Sequence, residues 1–212
     1  MLGAKNISHS YDYPLFENVS IELLPKTSTA ILGVSGSGKS TLLHILASFL
    51  KPNDGTVEFL EKNLYEADQK ELVKIRRNEF GIIFQSHYLF RGFSAAENIE
   101  VASMLSSEPV DTELAKKFGV AHVLAQPIST LSGGQQQRIS IVRVLTKKPK
   151  VIFADEPTGN LDKDSANQVM QTLFEYVKEN SAALFCVTHD EKLAFSCDNV
   201  FKLEQNKLVK LK

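Results

Sequence analysis

The sequence predicts an α/β fold with a mixed sheet whose core is largely parallel. Three short apolar runs, residues 29–32, 151–154 and 183–187, are typical of buried strands and alternate with segments of helical periodicity. The first run leads into a glycine-rich loop and then into an apolar helix pattern over residues 42–50. Strands of a parallel sheet are covered on both faces, which explains why these runs are continuously apolar.

The N-terminal part of the chain has a different pattern from this core. Residues 15–24 and 56–60 are typical of strands, and the turn sequence Pro-Asn-Asp-Gly at residues 52–55 lies between them. This arrangement predicts an antiparallel β-subdomain near the start of the chain. Residues 81–85 form another short buried strand pattern, and from about residue 90 to residue 130 the pattern is helical and polar.

We expect one domain over residues 1–212, because this length suits a single domain with small subdomains. Residues 1–85 and 131–212 would form the α/β core together with the β-subdomain, and residues 86–130 would form an inserted helical subdomain. A helix is predicted over residues 163–179, between the last two apolar strands.

Composition argues against several functional classes. The net charge of −1 provides no basic field of the kind that nucleic-acid binding requires. No apolar run is long enough to span a bilayer, and the N-terminus lacks the pattern of a secretory signal. The two cysteines, Cys186 and Cys197, are expected to be reduced thiols. We therefore expect a cytoplasmic protein that does not bind nucleic acid.

Residues 33–40 match the P-loop pattern at every required position. The glycines let backbone N–H groups turn toward phosphate oxygens, and the N-terminal end of the following helix adds positive potential. Lys39 places a charge on the β- and γ-phosphates, and Ser40 offers a hydroxyl to Mg²⁺. A flexible Gly/Ser loop is the alternative, disfavoured because strand, loop, Lys-Ser pair and helix follow in order. The expected nucleotide-binding residues in this segment are Gly33, Val34, Ser35, Gly36, Ser37, Gly38, Lys39, Ser40 and Thr41.

Two acidic residues follow the apolar strand at residues 151–154. Strands of an α/β sheet commonly end at the ligand crevice, so Asp155 suits a direct or water-mediated contact with Mg²⁺. Glu156 points differently and suits polarising the attacking water. The alternative is a pair of solvated acids at a strand end, which the upstream P-loop disfavours. Together the two motifs predict a P-loop nucleoside triphosphatase and nothing narrower.

A third motif narrows the class. Residues 131–138, Leu-Ser-Gly-Gly-Gln-Gln-Gln-Arg, resemble the signature sequence of the ABC ATPase family. The Ser and Gln spacing also predicts a capping box that starts a helix and exposes N–H donors suited to a γ-phosphate. The resemblance implies that this phosphate belongs to ATP held by the P-loop of a second subunit. The signature residues are Leu131, Ser132, Gly133, Gly134 and Gln135.

Further landmarks of the ABC ATPase family occur in order along the chain. The resemblance implies that Gln85 contacts Mg²⁺ and water, that His189 contacts the γ-phosphate, and that residues 160–162 contact the opposite subunit. It places Tyr11 against the adenine, although Tyr13 is close and the spacing does not choose between them. The implied catalytic residues are Glu156, His189 and Gln85, and the implied metal ligands are Ser40, Gln85 and Asp155.

Residues 154–162 resemble one branch of the family, which contains lipoprotein-release, macrolide-export and cell-division ATPases. Residues 84–90 and 93–98 resemble the lipoprotein-release type most closely, and the cell-division type stays an alternative because its motifs are nearly the same. Macrolide exporters of this branch carry their membrane segment in the same chain, and no such segment is found in this sequence.

The resemblance implies an ATPase that uses ATP and Mg²⁺ and that works as a homodimer. It also implies transmembrane permease subunits as partners and a peripheral position on the cytoplasmic face of the inner membrane. A soluble ABC ATPase acting on DNA or the ribosome is disfavoured, because such proteins usually have two cassettes in one chain or a long coiled-coil insertion. A module that binds nucleotide without hydrolysis is disfavoured by Glu156 and His189.

Overall fold

The computed structural model describes residues 1–212 and has the predicted α/β architecture. The strands are β1 (Leu2–Ser10), β2 (Pro14–Leu23), β3 (Ser28–Leu32), β4 (Asp54–Phe59), β5 (Lys62–Asn63), β6 (Phe80–Ile83), β7 (Val151–Asp155), β8 (Ala183–Thr188), β9 (Asn199–Glu204) and β10 (Lys207–Lys210). The helices are α1 (Lys39–Leu46), α2 (Gln69–Asn78), α3 (Ala95–Ser106), α4 (Thr112–Lys117), α5 (Gly133–Thr146), α6 (Lys163–Glu179) and α7 (Glu191–Ser196).

The central sheet has six strands in the order β10-β9-β3-β8-β7-β6. Strand β10 pairs antiparallel with β9, and the other neighbouring pairs are parallel, so the predicted mixed sheet with a parallel core is confirmed. The carboxyl ends of parallel strands meet at one edge of the sheet, where ligands of α/β folds commonly bind. The segments that follow β3, β6, β7 and β8 therefore share one crevice.

A second sheet, with the order β2-β1-β4-β5, is antiparallel throughout and confirms the β-subdomain predicted near the start of the chain. One of its two inner strands, β1, is not predicted by the sequence pattern. The register of β1 shifts between Ala4 and Ile7, and Asn6 adopts a φ of 52°, so the apolar alternation that marks a strand is interrupted.

Residues 86–130 contain α3, α4 and two short 3-10 helices at Ala121–Val123 and Ile128–Thr130, and no strand. Helix α3 packs against α5, and α5 also packs against the edge strand β6. The described helices include none that is both long and apolar enough to cross a bilayer. This helical segment is thus attached to the parallel sheet mainly through α5.

Local sequence signals determine where several helices begin and end. Helix α6 has the predicted bounds because the Asp162 carboxylate accepts hydrogen bonds from the first N–H groups of the helix, at 3.1 and 3.0 Å. Helix α1 begins at Lys39 and ends at Leu46, whereas the apolar pattern predicts residues 42–50. The P-loop starts this helix earlier, and Ser48, with a φ of 63°, lies beyond its end.

His9 gives the fold a pH-dependent stability that can be measured. Its side chain is buried, and neither ring nitrogen has a hydrogen-bond partner. Burial lowers the pKa of His9, so the unfolded chain binds a proton that the folded chain does not. Stability is therefore lost as the pH falls below about 6.5, the ordinary pKa of histidine. We expect the melting temperature of His9→Phe to fall less than that of the parent between about pH 7.5 and about pH 5.5.

Burial also lowers the pKa of His87, which is present in both the parent and the His9→Phe variant. Both are therefore expected to lose some stability in acid. The informative quantity is the difference between the two melting curves as a function of pH. An equal acid-induced decrease in both proteins would show that His9 is not a source of this dependence.

Candidate active site

A cavity of 740 Å³ lies at the carboxyl ends of the parallel strands. It is lined by the P-loop, by one strand end of the β-subdomain and by the segments after β6, β7 and β8. The sequence-predicted residues brought together in its wall are Tyr11, Val34, Ser35, Gly36, Gly38, Lys39, Ser40, Thr41, Gln85, Asp155, Glu156 and His189. Leu15 and Tyr13 also line it. Leu15 is missed by sequence reasoning because it resembles any other apolar residue of a strand.

The P-loop connects β3 to α1 in a shape that depends on its glycines. Gly38 has a φ of 97°, and a Cβ atom there would lie 3.3 Å from the Cβ atom of Leu15. A residue with a side chain would be strained at this position. Gly33 and Ser37 do not line the cavity; a Cβ atom on Gly33 would lie 2.6 Å from the Ser37 hydroxyl. These two P-loop residues pack against each other within the loop.

The Lys39 side chain folds back over the loop. Its ammonium group donates hydrogen bonds to the carbonyl oxygens of Gly33, at 2.7 Å, and Val34, at 2.9 Å. Burial lowers the pKa of Lys39, and the nearby carboxylates of Glu156 and Asp155 oppose that shift. A positive charge is thus held at the mouth of the loop, within the same cavity as two acidic groups.

Glu156 lies in an unusual backbone position directly after β7. Its φ is 47°, and its N–H donates to the carbonyl of Val187 at 3.0 Å, so the chain turns sharply while staying attached to β8. The Glu156 carboxylate accepts hydrogen bonds from the Thr188 hydroxyl and from the backbone N–H of His189, each at 3.0 Å. Its Oε1 atom also lies 2.7 Å from Nδ1 of His189. The sequence motifs predict roles for Glu156 and His189 but none for Thr188, and the β7–β8 pairing brings the three residues together.

The cavity offers hard oxygen donors of the kind that Mg²⁺ prefers. The carboxylate of Asp155, the hydroxyl of Ser40 and the amide of Gln85 all line it. Burial raises the pKa of Asp155, and the neighbouring Ser40 hydroxyl acts in the opposite direction. No cluster of three His, Cys, Asp or Glu residues could hold a metal by itself. The donor set therefore fits an ion that takes most of its ligands from phosphates and water.

Two tyrosines, Tyr11 and Tyr13, also line the cavity. Tyr11 and Tyr13 are exposed to similar extents, and the Tyr11 N–H donates to the carbonyl of Tyr13 at 3.1 Å. The Tyr11 ring is anchored from behind, because the buried His9 ring meets it edge-on with the ring centres 5.0 Å apart. Tyr13 has no such aromatic contact.

The signature segment begins α5 and lies outside this cavity. The Ser132 hydroxyl accepts from the N–H of Gln135 at 3.2 Å, and the Gln135 side chain accepts from the N–H of Ser132 at 2.9 Å. This is the predicted capping box. Ser132 and Gly133 are exposed, while Leu131 is buried and fixes the segment to the helical core. The N-terminal end of α5 is therefore presented to solvent and not to the chain's own P-loop.

The fold and the loop define a P-loop nucleotide-binding protein, and comparison with known proteins narrows the class. The family model for ABC transporters matches residues 16–159. The chain therefore belongs to the ABC transporter family.

Several relatives cover most of the chain. The lipoprotein-releasing system ATP-binding protein LolD of Hydrogenovibrio crunogenus is 36% identical over 99% of this chain and 96% of the relative. LolD of Hahella chejuensis is 36% identical over 93% of this chain and 88% of the relative. The macrolide export ATP-binding/permease protein MacB of Salmonella choleraesuis is 35% identical, with 99% of this chain matching 34% of that longer protein.

Solved structures agree with this assignment. The dimeric ATP-binding cassette MJ0796, in a post-hydrolysis state bound to ADP and Pi, has a TM-score of 0.91 and 30% identity. The match covers 100% of this chain and 98% of the other. A second dimeric structure of the same cassette has a TM-score of 0.89. The chain is thus an ATP-binding subunit of the ABC transporter type.

Proposed function

We propose that this chain hydrolyses ATP to drive a transporter most like the lipoprotein-release type, as one of two cassettes attached to permease subunits. The cassettes would lie on the cytoplasmic face of the inner membrane. The observation that carries the proposal is the single cavity that collects Lys39, Ser40, Asp155, Glu156 and His189. Full-length similarity to LolD proteins supports the lipoprotein-release type.

Each residue of the cavity has a separate role in the transfer of the γ-phosphoryl group to water. The Lys39 ammonium binds the β- and γ-phosphates once it leaves the loop carbonyls. Ser40, Gln85 and Asp155 would hold Mg²⁺, which when bound neutralises charge on the β- and γ-phosphates.

Glu156 orients the attacking water and accepts its proton. Hydrogen bonds from the Thr188 hydroxyl, at the end of β8, and from the backbone N–H of His189 hold the Glu156 carboxylate in place. His189 is exposed at the cavity wall beside Glu156, where its ring reaches the γ-phosphate. Tyr11 is the better adenine platform of the two tyrosines, because His9 fixes its ring.

The active site is completed by a second copy of the chain. The N–H groups at the start of α5 face solvent outside the chain's own cavity, although a helix N-terminus is well suited to a γ-phosphate. Two chains arranged head to tail would bring each signature segment against the partner's P-loop, with symmetric contacts. The dimeric state of the MJ0796 cassette supports this arrangement. ATP then closes the pair, and hydrolysis opens it.

An apolar groove of 510 Å³ is the permease attachment site in this proposal. It lies between α2, α3 and α5. Phe84 and Phe90, which precede and follow the segment that contains Gln85, also line it. Its lining is mostly hydrophobic, the other lining residues are cations, and none is acidic. A short amphipathic helix of the permease that carries an acidic side chain would fit this chemistry. The lining cations are Arg76, Arg77, Arg143 and Lys147.

The groove predicts different effects for two neighbouring residues of α3. Leu105 lines the groove, whereas Met104 is 82% exposed and does not line it. We expect Leu105→Arg to weaken co-purification with the permease about tenfold or more, because it buries an unpaired charge among existing cations. Permease-stimulated phosphate release should fall with it, while phosphate release by the isolated chain stays unchanged.

Met104→Arg is the matched control, since it adds the same charge one residue away on the same helix. Equal permease binding by both variants would contradict the groove as the attachment site. The identity of the co-purifying proteins also separates the transporter types. Permease subunits with a large periplasmic domain support lipoprotein release, and a partner tied to division and cell-wall hydrolases supports the cell-division alternative.

A further inference from the structure

The segment after β6 is held by an arginine from the signature helix. This segment carries Gln85 into the cavity and then continues through His87 and Tyr88. The Arg143 guanidinium on α5 donates to the carbonyl of Tyr88 at 2.8 Å and to the carbonyl of His87 at 3.0 Å. The two acceptors are consecutive peptide groups, so a planar fork of donors suits them better than a single charge.

Tyr88 needs such support because of its backbone conformation. Its φ is 46°, in the left-handed region that a tyrosine rarely adopts. The Tyr88 ring is mostly exposed, and its one aromatic contact is with Phe84 in the same segment, with the ring centres 5.1 Å apart. The Arg143 hydrogen bonds hold the backbone at His87 and Tyr88. The next anchor lies two residues further on, where the Asn98 side chain of α3 is hydrogen-bonded to both backbone groups of Phe90.

Arg143 is a cation without a carboxylate partner. It makes none of the ion pairs found in the chain, and burial lowers its pKa. A partly buried charge without a counter-ion is unfavourable unless its donors are used. Arg143 also lines the permease groove beside Phe84 and Phe90. One side chain thus contacts the groove and the backbone that follows Gln85.

We propose that Arg143 is a positioning residue that sets the place of Gln85 in the active site. It couples the permease groove and the signature helix to that glutamine. The inference rests on the proposed function, because it requires Gln85 to act on Mg²⁺ and water. Since α5 begins at the signature and carries Arg143 two to three turns later, movement of this helix against the sheet shifts the backbone at His87 and Tyr88. A permease helix in the groove would act on the same hydrogen bonds.

A double-mutant cycle tests this inference in the full chain bound to its permease. Arg143→Met is expected to lower kcat by about tenfold to a hundredfold, because small misplacement of a catalytic group has effects of this size. The affinity for a fluorescent ATP analogue should change little. In a Gln85→Ala background the same Arg143→Met change should have almost no further effect on kcat, because Arg143 acts through Gln85. Arg143→Lys should recover only part of the activity, since an ammonium cannot serve both carbonyls equally.

Failure of the role of Arg143 and failure of the role of Gln85 give different results in this cycle. A full loss from Arg143→Met that persists in the Gln85→Ala background would overturn the positioning role, as would a wild-type kcat in Arg143→Met. If Gln85→Ala itself leaves kcat unchanged, the role proposed for Gln85 fails and the inference fails with it. Should Arg143→Met fold poorly by its melting temperature, Tyr88→Gly provides a second test. Glycine adopts the left-handed conformation freely, so Tyr88→Gly should restore kcat to Arg143→Lys, and no restoration would count against the inference.

Discussion

Replacement of Glu156 by glutamine is expected to reduce phosphate release by a factor of about 10² to 10⁴, the usual contribution of a positioned general base. ATP binding should survive, because no P-loop contact is changed. The variant should therefore accumulate as an ATP-bound dimer in the presence of Mg²⁺. Light scattering coupled to size-exclusion chromatography measures the dimer, and a phosphate-release assay measures turnover.

The local hydrogen bonds allow this substitution without damage to the fold. A glutamine carbonyl can accept from the His189 N–H, and its amide can donate to the Thr188 hydroxyl, which already accepts from the N–H of Asp190 at 3.1 Å. Glu175→Gln, at an exposed position of α6, is the control for a simple loss of one charge. A monomer in ATP and Mg²⁺, or an unchanged rate of hydrolysis, would contradict the role of Glu156.

Much of this site is predictable from the sequence because its parts are local. The P-loop, the acid pair at the end of β7 and the capping box of α5 are each contained in a few consecutive residues. The same holds for α6, whose start is signalled by Asp162. Local motifs of this kind carry their own turn and capping chemistry, so the sequence shows both the residues and the structure they form.

The contact between Glu156 and His189 depends on tertiary structure and not on a local motif. It requires Asp155 to pair with Val187 across β7 and β8, and it requires Glu156 to adopt a left-handed backbone that propensity alone would not suggest. Residues 33 positions apart therefore become hydrogen-bonded through sheet register. The contact of Arg143 with Tyr88 likewise depends on how α5 packs against the edge of the sheet. Nothing in the spacing of either pair predicts it.

Helix α2 shows a different limit of sequence reasoning. It spans Gln69–Asn78, and Leu72 and Ile75 are its only buried hydrophobic residues, so most of its surface is polar. Its position becomes meaningful only in the fold, where it forms one wall of the apolar groove. A candidate partner surface of this chain is thus assembled from segments that lie far apart in the sequence.

Ser132→Asp is expected to abolish hydrolysis although it lies outside the chain's own cavity. Aspartate caps a helix as well as serine does, so α5 and the melting temperature should be preserved. The added negative charge would stand at the helix end that the proposed function places against the partner's γ-phosphate, where it repels the anion. We expect the phosphate-release rate to fall at least about a hundredfold, the size of effect seen when charge stabilisation of a transition state is lost. Ser132→Asn caps equally well without the charge and should keep most of the activity.

Mixing two inactive variants distinguishes a site shared between chains from a site within one chain. Lys39→Ala removes the phosphate-binding ammonium, and Ser132→Asp removes a usable signature. In a mixed dimer, the P-loop of the Ser132→Asp chain faces the intact signature of the Lys39→Ala chain, so one complete site forms. We therefore expect phosphate release to return on mixing, although each variant alone is inactive. If the signature served the P-loop of its own chain, every site in the mixture would still carry a defect and no activity would return, since each chain then fails by itself.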